Sequence, residues 1–244
     1  MGINRIELKK KAKVSISDKS NGSSILLFSI VFIAIRYILN SLSANLTGIK
    51  VDMDEYAAAA QNLDTAYFTN LVTNYQTDVF SVILDIAIKV ILLILTVGFI
   101  IFLLNVINKK KTSFGNLFDG FNIFDRAVIL YILIYVKVLL WSLLFIIPGI
   151  IAQYRYRLAK YIMIEHPELT PRQCIDKSKE LMHGHKGELF CLDLSFIGWY
   201  ILTAIPFVSI YVYPYTQLTY AHYYNQIATN NGFKIVETDF EEEI

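Results

Sequence analysis

Four long apolar stretches constrain this chain more than any other feature. They run over residues 24–42, 79–104, 127–152 and 189–212. Each meets or approaches the roughly 20 mostly apolar residues that a helix needs to cross about 30 Å of hydrocarbon. Mean hydropathy is +0.47, and 18% of the residues are charged, whereas a soluble domain carries about 25%. The sequence therefore predicts an all-α integral protein of the cell membrane.

Lysine and arginine counts orient these stretches, because cytoplasmic loops carry the excess of basic residues. Residues 1–23 form a basic, weakly amphipathic N-terminus with six Lys and Arg residues, and 105–126 has four. Residues 43–78 have only Lys50, against five acidic residues. We therefore predict that the N-terminus and 105–126 are cytoplasmic and that 43–78 is an external loop.

The basic residues of 153–188 conflict with a count of four spans. Four spans would place this loop outside the cell with seven Lys and Arg residues, against the same rule. The conflict disappears if Pro148-Gly149 turns near the outer surface and 149–164 returns as a helix. Residues 165–188 are then cytoplasmic.

The last apolar stretch, 189–212, allows a second helical hairpin of this kind. Its turn near the outer surface is at Tyr213-Pro214-Tyr215, and residues 216–228 form the returning helix. The sequence thus predicts about six membrane helices, some short or proline-broken, plus interfacial amphipathic helices. They form a single membrane domain over 24–228, followed by an acidic cytoplasmic tail, 229–244. Whether 149–164 and 216–228 span the membrane or lie at its surface stays open.

Two segments between the stretches have helical spacing. Phe114, Leu117, Phe118, Phe121 and Phe124 share one face of a helix. This helix lies either in the inner membrane interface or against its own bundle, and both interpretations stay open.

The second segment begins at Thr170-Pro171-Arg172-Gln173, a capping box with proline at the first helical position. Gly184 is placed to end the helix. The residues predicted to line one face are Ile175, Ser178, Leu181 and Met182.

Three cations fall near the middle of predicted spans: Arg36, Lys137 and Arg155. A central cation costs roughly 2.5–3.5 kcal/mol on insertion scales, so it usually faces a polar cavity or a partner. We hypothesise an internal cavity that binds an anionic headgroup or solute. The alternative is that the helix boundaries differ by one turn and each cation reaches the interface. Lys89 is closer to the outer end and is expected to pair with Asp85.

The sequence offers no set of residues typical of catalysis. His183 and His185 are two residues apart with a glycine between them, whereas metal-binding helices favour His at i and i+4 with a third ligand. Motifs for hydrolases and nucleotide binding are missing. Cys174 and Cys191 fall on the reducing side, where a disulfide is not expected. We therefore predict a non-enzymatic protein without cofactor or metal, and the net charge of +1 does not indicate nucleic acid.

Several ordered motifs resemble a known family. They are LFIIPGIIAQYRY over 144–156, LMHGHK over 181–186 and LSFIGW over 194–199, followed by Pro214-Tyr215 and Tyr224. The chain is similar in these motifs to the domain-of-unknown-function 975 family of bacterial integral membrane proteins. The N-terminal residues 5–13 and the Phe118–Phe124 segment also resemble that family, whereas 43–78 does not. The resemblance implies a structural or headgroup-contacting role for His185 and Lys186, and it supplies no catalytic residues.

These observations favour a non-enzymatic membrane module that assists a transport or cell-envelope system. Its expected partners are the lipid bilayer, anionic lipids of the inner leaflet and a membrane protein. The alternative is a small transporter for an anionic or lipid-like substrate, which the mid-membrane cations and proline-broken helices favour.

Overall fold

The computed structural model describes residues 4–18, 21–47, 79–203 and 205–233, with short pieces at 58–59, 62, 64–67 and 69. Every regular element within these residues is helical, so the all-α fold class is confirmed. Most of the predicted external loop and acidic tail lies outside the described residues. The α-helices are α1 (Arg5–Ser17), α2 (Gly22–Thr47), α3 (Val79–Ile107), α4 (Asp119–Asn122), α5 (Phe124–Leu144), α6 (Ile146–Tyr156), α7 (Ala159–Glu165), α8 (Pro171–Leu181), α9 (Lys186–Leu194), α10 (Ile197–Leu202) and α11 (Pro206–Asn230).

Three of these helices are long and apolar enough to cross a membrane: Gly22–Asn45, Val79–Ile107 and Phe124–Leu144. Their length and composition are compatible with a membrane location. The prediction of about six spans is not confirmed. The chain divides into two compact units, one of residues 1–33 and 93–244 and the other of residues 34–92.

The unit of residues 34–92 contains a buried acidic group, Asp85. Lys89 Nζ lies 2.6 Å from Asp85 Oδ2, which confirms the predicted pair one helical turn apart. The Ser43 hydroxyl donates to the other carboxylate oxygen. Lys89 and Ser43 thus donate hydrogen bonds to the Asp85 carboxylate, which offsets the cost of burying its charge between apolar helices.

The larger unit has an aromatic core around the second half of α3. The ring of Phe28 on α2 stacks on Phe102, with centroids 3.9 Å apart. Phe32 lies 4.7 Å from Phe99 and 5.3 Å from Tyr213 of α11. Such close ring pairs add to the stabilisation from burial, so they fix α2, α3 and α11 together.

The phenylalanine-rich segment packs on this core instead of forming one continuous helix. It consists of a 3₁₀ turn, Phe114–Leu117, and the short α4. Leu117 is buried, contrary to the predicted shared face, while Phe114, Phe118, Phe121 and Phe124 are exposed. Glycines allow the close approach: an added Cβ on Gly120 would meet the backbone of Ile94 and Gly98. The segment therefore packs on its own bundle and also presents an apolar outer face.

Helices α5 and α6 form a hairpin whose break lies at Phe145, where the backbone is extended. The turn predicted at Pro148-Gly149 is wrong, because both residues lie inside α6. Proline is tolerated in the first turn of a helix, whose N–H groups have no partner within the helix. An added Cβ on Gly149 would meet Ser142 of α5, so this glycine allows the two helices to pack closely.

Two further predictions at the C-terminal end are wrong. Residues 189–212 do not form one helix, because α9, α10 and the start of α11 divide them. The turn at Tyr213-Pro214-Tyr215 does not occur, because Pro214 lies inside the continuous α11. A proline inside a helix removes one backbone hydrogen bond, and packing against the aromatic core keeps α11 continuous on both sides of it.

Helix α8 has the predicted capping box. The Thr170 hydroxyl accepts from the Gln173 amide, and Gln173 Oε1 accepts from the Thr170 amide at 2.8 Å. All four residues predicted to share one face are buried: Ile175, Ser178, Leu181 and Met182. Gly184 follows the helix with a φ of 81°, which glycine adopts without strain.

We expect Thr170→Ala to lower the free energy of unfolding by about 1 kcal/mol, because the Gln173 amide loses its acceptor. Thr170→Ser keeps the hydroxyl and should change stability by only a few tenths of that amount. Chemical denaturation in detergent micelles measures both variants. An equal loss for Ala and Ser would show that the methyl group, and not the cap, stabilises this site.

Candidate functional site

The densest polar cluster in the described residues surrounds an ion pair between Arg157 and Asp193. Arg157 directly follows α6, and Asp193 lies in the last turn of α9. The guanidinium donates through both terminal nitrogens, at 2.9 Å to Asp193 Oδ2 and 3.3 Å to Oδ1. Such a two-point pair fixes orientation as well as distance.

Two tyrosines complete the coordination of this carboxylate. The Tyr154 hydroxyl donates to Asp193 Oδ2 at 2.9 Å, and the Tyr220 hydroxyl donates to Oδ1 at 2.7 Å. Tyr200 of α10 lies 3.2 Å from the Tyr220 hydroxyl. Each carboxylate oxygen thus accepts two hydrogen bonds. We call these five residues the Arg157–Asp193 cluster.

The cluster joins four helices, and each charged side chain finds its partner on a different helix. Tyr154 and Arg157 lie on α6 and its C-terminal end, Asp193 on α9, Tyr200 on α10 and Tyr220 on α11. The guanidinium also lies 4.6 Å from the centre of the Tyr220 ring, a cation–π contact. Positive and negative charge balance within the cluster, and the acceptor positions of Asp193 are filled by the chain's own donors.

The N-terminal helix α1 docks beside this cluster. Its buried face, Leu8, Ala12 and Ile16, packs against α11. Lys9 donates to the carbonyl of Ser195 at 2.9 Å and lies 4.2 Å from the centre of the Phe196 ring. Burial lowers the pKa of Lys9 from its usual value. A cation at the C-terminal end of α9 interacts favourably with the free carbonyls there.

A second polar group surrounds Glu165 at the end of α7. Asn108 donates to Glu165 Oε1 at 3.0 Å, and Asn225 reaches Asn108 at 3.4 Å. The Tyr224 hydroxyl also contacts the Glu165 carboxylate. Buried side-chain atoms of His166, Tyr161 and Asn225 have no hydrogen-bond partner. Burial raises the pKa of the Glu165 carboxyl, because the charged form loses its hydration. This group has unused polar capacity that the Arg157–Asp193 cluster lacks.

The predicted anion-site residues are distributed over both units. Arg36 is exposed on α2 in the unit of residues 34–92. Lys137 and Arg155 lie in the larger unit. Lys137 is on α5, which α8 contacts, and the Arg155 carbonyl accepts from Ser178 at 2.8 Å. No observation tests an anion site at these three residues, so it stays a prediction.

The predicted contact residues His185 and Lys186 lie at the start of α9. His185 Nδ1 is 2.9 Å from Glu188 Oε2, and its carbonyl accepts from the Tyr223 hydroxyl at 3.1 Å. Lys186 is the first residue of the helix. Their roles also stay predictions.

Sequence reasoning missed Arg157, which it counted only among the basic residues of a loop. A signal was available, because Tyr154 and Arg157 are three residues apart and share a helix face. Their partner Asp193 is 36 positions away from Arg157, so spacing alone could not join them. Within the described residues, no group of three or more His, Cys, Asp or Glu residues is placed to hold a metal ion.

Residues 143–231 match the family model described as "Protein of unknown function (DUF975)". No curated protein matches the chain, and no solved structure does. The matched range contains all five residues of the Arg157–Asp193 cluster, as well as α6 to α11, whereas the N-terminal residues 5–13 and the segment 114–124 lie outside it. Over residues 143–231 the chain carries the pattern of the DUF975 family, which confirms the resemblance found in its sequence motifs.

Proposed function

We propose that this chain is a non-enzymatic membrane module that assists a transport or cell-envelope system. The observation that carries the proposal is the saturation of Asp193, whose two oxygens accept four hydrogen bonds from Arg157, Tyr154 and Tyr220. A general base must be free to accept a proton from a substrate. All hydrogen-bond acceptor positions of this carboxylate are used to connect α6, α9 and α11, as expected of a structural ion pair.

The N-terminal helix supplies the proposed lipid contact. Its inner face is occupied by α11, but its outer face leaves Ile6 and Val14 exposed, at 79% and 59%. Lys10 and Lys13 lie on the same outer side and are exposed. Apolar residues flanked by lysines are typical of helices that lie on an anionic membrane surface, where each lysine contributes about 1 kcal/mol. We place this helix and both termini on the cytoplasmic side, with α1 against the inner leaflet.

The test is extraction of the full chain into native lipid nanodiscs through a tag at its C-terminus, followed by mass spectrometry of bound proteins and lipids. The module proposal predicts a membrane protein in stoichiometric amount and enrichment of anionic lipid. Lys10→Gln with Lys13→Gln should reduce that lipid enrichment, since it removes charge from the outer face of α1. Glu7→Gln with Lys11→Gln is the control, because it changes two exposed, mutually paired residues of the same helix without changing its net charge.

The alternative, a small transporter for an anionic or lipid-like substrate, is favoured by the polar group around Glu165. Its buried atoms without partners could bind a solute or ordered water. The alternative predicts a solute-dependent conformational change that is weakened by Glu165→Gln. Hydrogen exchange of the nanodisc sample with candidate anions measures it. A solute response without any protein partner would replace the module proposal by the transporter.

A further inference from the structure

Two groups of large apolar side chains are highly exposed in the described part of the larger unit. The first is the tip of the α5–α6 hairpin, where Leu143, Phe145, Ile146 and Ile147 are each at least 70% exposed. The second is formed by α10 and the start of α11, where Ile201 and Phe207 are exposed by 69% and 80%. Contiguous apolar surface of this kind is not left in water. We call these groups the two apolar tips.

The charged residues of α8 and of the Arg157–Asp193 cluster limit how deep the surrounding helices can lie in hydrocarbon. We call them the charged layer. Helix α8 packs along α5 and α6, and Ser178 of α8 donates to the Arg155 carbonyl at 2.8 Å. The outer face of α8 exposes Arg172, Asp176 and Glu180. Lys179 holds the pKa of Asp176 below its usual value by a hydrogen bond of 2.6 Å. Lys137 lies in the middle of α5, a helix that α8 contacts directly.

The distance from this layer to the tips is about half a bilayer. At 1.5 Å per residue, Phe145 lies about 12 Å beyond Lys137 and Ile146 about 16 Å beyond Arg157. On α11, Phe207 lies about 20 Å beyond Tyr220, whose hydroxyl belongs to the charged cluster. The hydrocarbon core is about 30 Å thick, so one leaflet takes up about 15 Å. Counted from this layer, these lengths suit insertion into one leaflet, although the whole of α5 is long enough to cross both.

We propose that the two apolar tips are re-entrant, entering the hydrocarbon of a single leaflet and returning on the same side. Their occupant is the acyl-chain layer of the membrane in which the candidate spans of α2 and α3 lie, and α5 then enters one leaflet only. The layer of α8 and the Arg157–Asp193 cluster then lies at headgroup depth, where charged side chains are hydrated. This arrangement also keeps the basic residues of 153–188 on one side of the membrane without requiring α6–α7 or α11 to cross it.

Lipid-borne quenchers test the depth of the tips directly. The two free cysteines, Cys174 and Cys191, are first replaced by Ala and Ser. Single cysteines are then introduced by Ile146→Cys and Phe207→Cys at the tips and by Arg172→Cys on exposed α8 as the control. Each is labelled with a fluorophore in vesicles of phosphatidylcholine and phosphatidylglycerol that contain a nitroxide at the headgroup or near the acyl-chain end.

The proposal predicts about twofold stronger quenching of both tips by the acyl-end nitroxide than by the headgroup nitroxide, since the tips reach the bilayer centre. Arg172→Cys should show the opposite order. A second measurement uses a membrane-impermeant thiol reagent on intact cells, with Ala44→Cys as the marker for the predicted external side. Only the marker should react.

Two results would overturn the proposal. Stronger headgroup quenching of the tips, together with labelling of Ile146→Cys in intact cells, would mean that the helices cross the membrane and would restore six spans. Absence of quenching at both depths would mean that the tips are not in lipid and contact a protein instead. The introduced cysteines are all at exposed positions. Cys174 is buried, but its replacement is shared by the tip variants and the Arg172→Cys control, so any effect of it on folding is common to all of them.

Discussion

Replacing Asp193 by Ala should lower the free energy of unfolding by about 2–3 kcal/mol, because Arg157 then keeps a partly buried charge without its partner. The side chains of Arg157 and Asp193 are 27% and 20% exposed, so the loss is at the lower end for a buried pair. The hydroxyls of Tyr154 and Tyr220 lose their acceptor in the same variant. Denaturation of the full chain in detergent micelles measures the loss.

A pair of controls separates the ion pair from the loss of any carboxylate. Asp176→Ala removes a carboxylate that is 67% exposed and pairs with Lys179 on the surface, where such pairs contribute about 1 kcal/mol or less. Arg157→Met combined with Asp193→Leu should be less destabilising than Asp193→Ala, since no charge remains unpaired. The two single variants of this cycle are Arg157→Met and Asp193→Leu. If the double variant lost as much stability as the sum of these two losses, the proposed coupling within the cluster would be wrong.

Local sequence patterns predicted the elements whose stabilising contacts are themselves local. The capping box of α8, its buried face and the Asp85–Lys89 pair all involve residues within a few positions of one another. The prediction of a turn at Pro148-Gly149 is wrong because proline and glycine are common both in turns and at particular positions within helices. Here Pro148 lies in the first turn of a helix and Gly149 provides close packing against Ser142, and only the tertiary structure distinguishes these uses from a turn.

The candidate site was less accessible to sequence reasoning than the helices were. Arg157, Asp193 and Tyr220 come from three helices, and their contacts depend on how the chain returns after α8. A mid-span cation is costly in hydrocarbon, so the sequence indicates Arg36, Lys137 and Arg155. The sequence does not indicate Arg157, because its charge is compensated by Asp193, 36 residues away, and only the fold brings the two residues together.

The contact between α3 and the segment 114–122 should be the part of the larger unit most sensitive to a small change of volume. An added Cβ on Gly98 would lie 2.7 Å from the carbonyl carbon of Leu117 and 3.0 Å from the carbonyl oxygen of Asn116. These are backbone atoms, which cannot move away by changing a rotamer. Gly98→Ala should therefore cost about 2–3 kcal/mol of unfolding free energy, at the upper end for overpacking.

The outcome depends on the space around each glycine, because alanine favours a helix over glycine by up to about 1 kcal/mol. Gly187 lies in α9, and an added Cβ there meets nothing within 4 Å. Gly187→Ala should thus be neutral or slightly stabilising, whereas Gly98→Ala and Gly120→Ala should both be destabilising. Since Gly98 and Gly120 belong to one contact, the double variant should lose less than the sum of the two single losses. A stable Gly98→Ala variant in the same denaturation assay would mean that the phenylalanine segment does not pack against α3, and its exposed rings would then need another explanation.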